Sequence, residues 1–228
     1  MLAVLLLPSC YAIGQVFFEL LFQLKFNGMA LVPVFAGGAC MFLLYAWVPK
    51  PIWTYVLGHE FTHAIASMLC GGRVKGMKVT SQGGHVYVTR DNFLVTLSPY
   101  FVPIYAIMVF VVFALSRQFF SWDTPMAWAV FFWALGLAYS FHVFLTWDIL
   151  HTRQPDITSQ GYLFSAVIIF LGNAMIGFLG IKFVSNGIGL TQIAYSLGSE
   201  VSETYRIIGG FAQNGLITIN SALKSNLS

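Results

Sequence analysis

The chain has 228 residues, 58% hydrophobic and 8% charged, with 22 Phe, 10 Tyr and 6 Trp. Globular proteins average roughly 25% charged residues, so there is too little polar surface here for a water-soluble particle, and disorder is excluded by the high hydrophobicity. The net charge of +3 comes without any Lys/Arg run, which leaves nucleic acid as an unsupported partner.

A membrane-crossing helix needs about 20 apolar residues. Taken along the chain, residues 2–24, 29–48, 52–70, 93–115, 126–147 and 161–183 approach that length. The expected fold class is an all-α polytopic membrane protein of about six hydrophobic segments in a lipid bilayer. The polar connectors carry Lys25 and Asn27, Lys50 and Pro51, residues 117–123 and residues 148–160. Leu7-Pro8-Ser9-Cys10 lacks the basic start of a lipoprotein signal. Cys10, Cys40 and Cys70 show no metal-type spacing and read as small buried hydrophobes.

Between the third and fourth segments the chain changes character. Residues 72–90 hold two short β-type runs around Ser81-Gln82-Gly83-Gly84, the pattern of a re-entrant or interfacial β-hairpin. Beyond Asn186, Ile193, Leu197, Val201, Tyr205 and Ile208 recur at helical spacing, with Glu200, Glu203 and Arg206 off that line. Residues 185–228 therefore read as an amphipathic tail that lies on the membrane or the bundle, with fraying at its Asn/Ser-rich end, and residues 1–184 as the core. If all six segments cross, Lys25, Arg73, Lys75, Lys78, Arg90 and Arg153 share one side. Lys50, Arg117 and Lys182 face the other, which makes the first side cytoplasmic.

His59-Glu60-Phe61-Thr62-His63, an H-E-x-x-H motif, interrupts the third segment. On a helix, positions four apart share a face, so both imidazoles can grip one metal ion. Glu60 lies one residue round, placed to take a proton from water rather than to ligate. Zn2+ suits two neutral imidazoles and a carboxylate. Three ionisable groups within one turn of a lipid-embedded helix are costly and point to function.

A third ligand must come from elsewhere. Glu19 sits in the first span as a helix-end or packing partner, Glu200 and Glu203 lie in the tail, and Asp91 and Asp123 lie in connectors. Asp148 and Asp156 remain, flanking the link before the last span. Asp156 follows Pro155 and opens the last apolar run, from where it can dip into the bundle. Asp148 stands three residues before His151 and could pair with it. Asp156 is favoured. His142 and His151 are candidate supporting groups, although the reading as satisfied buried or interfacial histidines is favoured for each, and His85 reads as structural.

The H-E-x-x-H inside an apolar segment, the Gly-Gly hairpin and a distal Asp together resemble the site-2 protease family of intramembrane zinc metalloproteases, over roughly residues 52–182. The resemblance implies that His59, His63 and Asp156 ligate Zn2+ and that Glu60 is the general base. It further implies that Gly83, Gly84, His85 and Val86 belong to a hairpin that holds a transmembrane or membrane-proximal protein substrate. Two departures stand out. Pro155-Asp156-Ile157 replaces the family's Leu-Asp-Gly type sequence, and Ser98-Pro99-Tyr100 stands where Gly-Pro is more usual. With no appended regulatory domain in view, a minimal, divergent member is expected. A membrane metal transporter, or a pseudoprotease that binds membrane proteins without cutting them, are the alternative readings. The five histidines are too few for a membrane di-iron oxygenase.

Overall fold

A computed structural model of the chain describes residues 1–23, 28–120, 122–185 and 187–225. The expected connector at Lys25 and Asn27 and the last residues of the fraying tail lie outside the described residues. Among the described residues, nine helices and one hairpin follow in order: α1 (Leu2–Gln23), α2 (Gly28–Trp47), α3 (Ile52–Leu69), β1 (Val74–Thr80), β2 (Gly83–Val88), α4 (Phe93–Leu97), a 3-10 turn (Ser98–Tyr100), α5 (Ile104–Ser116), α6 (Pro125–Leu150), α7 (Pro155–Gln160), α8 (Tyr162–Val184) and α9 (Leu190–Ser225).

Among the described residues, α1, α2, α6 and α8 are long and apolar enough to cross a membrane. The fourth segment, expected as one continuous stretch, is broken. Its halves, Phe93–Tyr100 and Ile104–Ser116, are bent by 81° and make a fifth crossing only if counted together. Pro99 and Pro103 explain the break, because neither offers an N–H and each restricts the residue before it. α3 falls short of a crossing by composition, since His59, Glu60 and His63 interrupt it. The fold is thus that of an all-α multi-pass membrane protein, as expected, with four candidate crossings among the described residues, or five if the bent pair counts as one.

Three clusters hold the helices together. Where α2 meets α6, Gly37 and Gly136 bring the backbones into contact, and a Cβ at either would collide with the carbonyl of Trp133 or Val34. Lipid supplies no hydrophobic drive between helices, so such close packing has to do that work. Val16 and Leu20 of α1 bury against Phe178 and Ile181 of α8 and Ile193 of α9. Tyr55 and Val56 of α3 bury against Leu145 of α6. The tail helix lies along the bundle, where the Tyr205 hydroxyl donates to the Leu5 carbonyl at 2.5 Å and sits 2.9 Å from Ser9 Oγ. The three cysteines are free thiols, and they are half-buried rather than buried as expected.

The hairpin forms where expected. Thr80 pairs with Gly83, so Ser81 and Gln82 make a two-residue turn, and the register slips between Val74 and Gly76. Ser67 Oγ, near the end of α3, donates to the Arg90 carbonyl at 2.8 Å and anchors the far end of the hairpin. Asn92 then caps α4, its side chain accepting from the Leu94 and Val95 amides at 3.0 Å each.

Candidate metal centre

His59 and His63 project from one face of α3, as their four-residue spacing requires. Asp156 enters from the first turn of α7, which Pro155 opens. Their ligating atoms form a nearly regular triangle. His59 Nε2 and His63 Nε2 are 3.2 Å apart, and Asp156 Oδ2 stands 3.2 Å from the first and 3.4 Å from the second. A tetrahedral zinc ion with bonds of about 2.0–2.1 Å separates its ligands by about 3.3 Å, so the donor set fits the ion in both chemistry and spacing. These three are the group of His, Cys, Asp and Glu side chains able to share a metal ion among the described residues.

The surroundings fix this triangle. His63 Nδ1 lies 2.8 Å from the Val95 carbonyl of α4. A carbonyl can only accept, so Nδ1 carries the proton and Nε2 turns its lone pair to the centre. The Tyr100 hydroxyl, buried in the 3-10 turn, donates to Asp156 Oδ2 at 3.0 Å. Asn173 of α8 in turn donates to the Tyr100 carbonyl at 3.1 Å. Both Val95 and Tyr100 arrive through the break in the fourth segment. The Ser98-Pro99-Tyr100 departure was the sequence signal for these supports, but it did not name Tyr100 as a partner of Asp156.

Glu60, only 7% exposed, lies beside the triangle under β2. Contact with the hairpin is close. A Cβ on Gly84 would lie 2.5 Å from Glu60 Cγ and 2.7 Å from Val56 Cγ1. A side chain at position 84 would therefore lift the strand or displace the carboxylate. A cleft of about 600 Å³ runs between hairpin and helix, with Glu60, His63 and Asp156 on one wall and Gly83, Gly84 and Val86 on the other. His85 also lines this cleft, its ring edge-on to Tyr87 with centroids 4.6 Å apart.

The remaining candidates lie apart from the triangle. Asp148 binds Lys50 Nζ at 2.5 Å and accepts from the Tyr45 hydroxyl at 2.6 Å. Lys50 Nζ also donates to the Tyr45 hydroxyl at 3.2 Å, and its hydrogen bonds to Asp148 first and Tyr45 second raise its pKa above the ordinary value. The weighed pairing of Asp148 with His151 is replaced by this one, and His151 Nδ1 lies 2.7 Å from the Trp147 carbonyl instead. Asp91 accepts from Thr96 at 2.8 Å, Asp123 pairs with Arg117 at 2.8 Å, and Glu203 pairs with Arg206 at 2.6 Å. Glu19 is exposed on α1. His142 is buried in α6.

An apolar multi-helix bundle that encloses an H-E-x-x-H pair and a distal carboxylate defines the class: a membrane protein of the site-2 metalloprotease type. The family model described as Peptidase M50B-like matches residues 38–154, just over half of the chain, and the chain belongs to that family. The match takes in α3, the hairpin and α6 and stops two residues before Asp156. No curated protein and no solved structure matches the chain.

Proposed function

We propose that this chain is an intramembrane zinc metalloprotease that hydrolyses peptide bonds in or near transmembrane segments of other membrane proteins. The observation that carries the reading is the triangle of His59, His63 and Asp156 with Glu60 buried beside it. His59, His63 and Asp156 would hold the ion. Zinc, when bound, supplies Lewis acidity for a carbonyl and eases the ionisation of water.

The protein's own part follows from placement. Glu60 accepts a proton from the attacking water as its oxygen bonds to the peptide carbon. The carbon–nitrogen bond then breaks, and Glu60 returns the proton to the leaving nitrogen. A transmembrane helix hides its peptide bonds in its own hydrogen bonds, so cutting requires local unwinding and a substitute partner for the freed groups. The hairpin beside the cleft supplies one, because a strand edge can pair with an extended segment.

The direct test compares new protein termini in cells carrying the wild type and cells carrying Glu60→Gln. Termini that map to transmembrane or juxtamembrane segments and arise only with the wild type are expected. Equal termini in both strains would refute the protease reading.

Two variants probe the walls of the site. Gly84→Val should lower cleavage by about 10²-fold, the cost of roughly 1 Å of misplacement in an active site, while the helical circular dichroism signal stays unchanged. Normal turnover in that variant would mean that the hairpin does not seat on Glu60 during catalysis. Tyr100→Phe removes one hydrogen bond from Asp156 and should weaken zinc binding by about 10-fold, the low end for such supports. Chelator competition reads that loss, and unchanged affinity would count against a supporting role for Tyr100.

A further inference from the structure

The two imidazoles of the triangle are supported unequally. A ligating histidine ordinarily donates its second ring N–H to a fixed acceptor, which sets both tautomer and ring orientation. His63 has the Val95 carbonyl for this purpose. His59 Nδ1 is buried and has no hydrogen-bond partner among the described residues, although its Nε2 faces the centre.

The side of α3 that faces α6 holds the missing piece. His59, Tyr55 and His142 line one small cavity of about 10 Å³, together with Gly58, Thr62 and Tyr105. Among the described residues, His142 Nε2 there is likewise buried without a hydrogen-bond partner, and the Tyr55 hydroxyl, whose neighbour is Thr146, has room for a further bond. Buried polar atoms in folded proteins are almost always hydrogen-bonded, to protein or to water. A space of about this size takes one water, and a buried water typically makes about three hydrogen bonds. Two unpartnered imidazole nitrogens and a hydroxyl, on residues that line a one-water space, match that requirement.

We propose that His142 is a positioning residue for the metal centre. It acts through a single buried water that accepts the His59 Nδ1–H and donates to His142 Nε2, with the Tyr55 hydroxyl as the third contact. His142 thereby locks His59 in the tautomer that turns the Nε2 lone pair toward the ion, as the Val95 carbonyl does for His63. Nothing in the H-E-x-x-H motif points to His142, which lies 79 positions after His63 on another helix. The inference rests on the metal reading of this same site.

The test measures zinc affinity of the full chain in detergent by chelator competition, for the wild type, His142→Leu and His142→Gln. The Leu variant fills the volume without an acceptor and should bind zinc about 10–100-fold more weakly, the usual cost of losing an outer-shell partner. The Gln variant keeps an acceptor for the water and should stay within about 3-fold of the wild type, a loss below that outer-shell range. A role in packing alone would not distinguish Gln from Leu by zinc affinity. Should the Leu variant not fold, His142→Met takes its place with the same expected loss. Wild-type affinity in the apolar variant, or an equal loss in both variants, overturns the proposal while leaving the metal centre intact. A wild-type chain that holds no zinc overturns the metal reading and this inference with it.

Discussion

Glu60→Gln is expected to lower peptide-bond cleavage by about 10²–10⁴-fold, the range for removing a general acid–base group, while zinc content remains that of the wild type. The argument is one of shape against charge. The amide has the volume of the carboxylate, so the close seat of Gly84 on the Glu60 side chain survives the change. The three converging atoms come from His59, His63 and Asp156, and none comes from Glu60. What the amide loses is the capacity to take up a proton and return it. Two readouts on one sample decide the matter: metal content of the purified protein, and cleavage of a membrane-embedded test substrate. Lost zinc would make Glu60 a ligand, and full activity would remove it from the mechanism.

The site was unevenly legible in the sequence. The His59–His63 pair could be read because helical periodicity alone sets which residues share a face, and α3 formed at almost the expected bounds, 52–69 against 52–70. The hairpin was legible for a similar reason, since Ser81-Gln82-Gly83 between two β-type runs leaves little choice of local structure. Asp156 was harder. It is 93 positions from His63, no periodicity links the two, and Asp148 satisfied the same elimination until its pairing with Lys50 and Tyr45 was seen.

The fourth segment was misread as continuous because its hydrophobicity is continuous. Pro99 and Pro103, four residues apart, withdraw N–H donors from successive turns and break the helix there, whereas the lone Pro8 and Pro33 leave α1 and α2 continuous. That break is what brings the Val95 carbonyl to His63 and the Tyr100 hydroxyl to Asp156. The same residues therefore cost the chain a straight crossing and furnish two of the supports of the candidate metal centre. Gly84 belongs with them. Its place in a turn-rich stretch was plain, but its role as the one residue type that lets β2 rest on Glu60 depends on a tertiary contact.

Asp156→Ala should produce the other large effect, loss of zinc affinity beyond the roughly 100-fold upper range of outer-shell changes. Asp148→Ala is its control and should leave affinity unchanged. The contrast follows from where each carboxylate is committed. Asp156 Oδ2 faces both imidazole nitrogens within 3.4 Å, so removing it leaves two neutral donors and no anionic ligand for a divalent ion. It also strips the Tyr100 hydroxyl of its acceptor, which loosens the turn that carries Tyr100. Asp148 spends its oxygens on Lys50 and Tyr45, a partly exposed pairing with side-chain exposures of 41% and 27% for Lys50 and Asp148. Exposed pairs of this kind contribute little, so its loss should change neither metal binding nor helical content. Asp156→Asn sharpens the comparison by keeping an oxygen in place while removing the charge, and it should bind zinc better than the alanine variant but below the wild type. Zinc lost from Asp148→Ala and kept in Asp156→Ala would transfer the third ligand to Asp148 and make the triangle at α7 incidental.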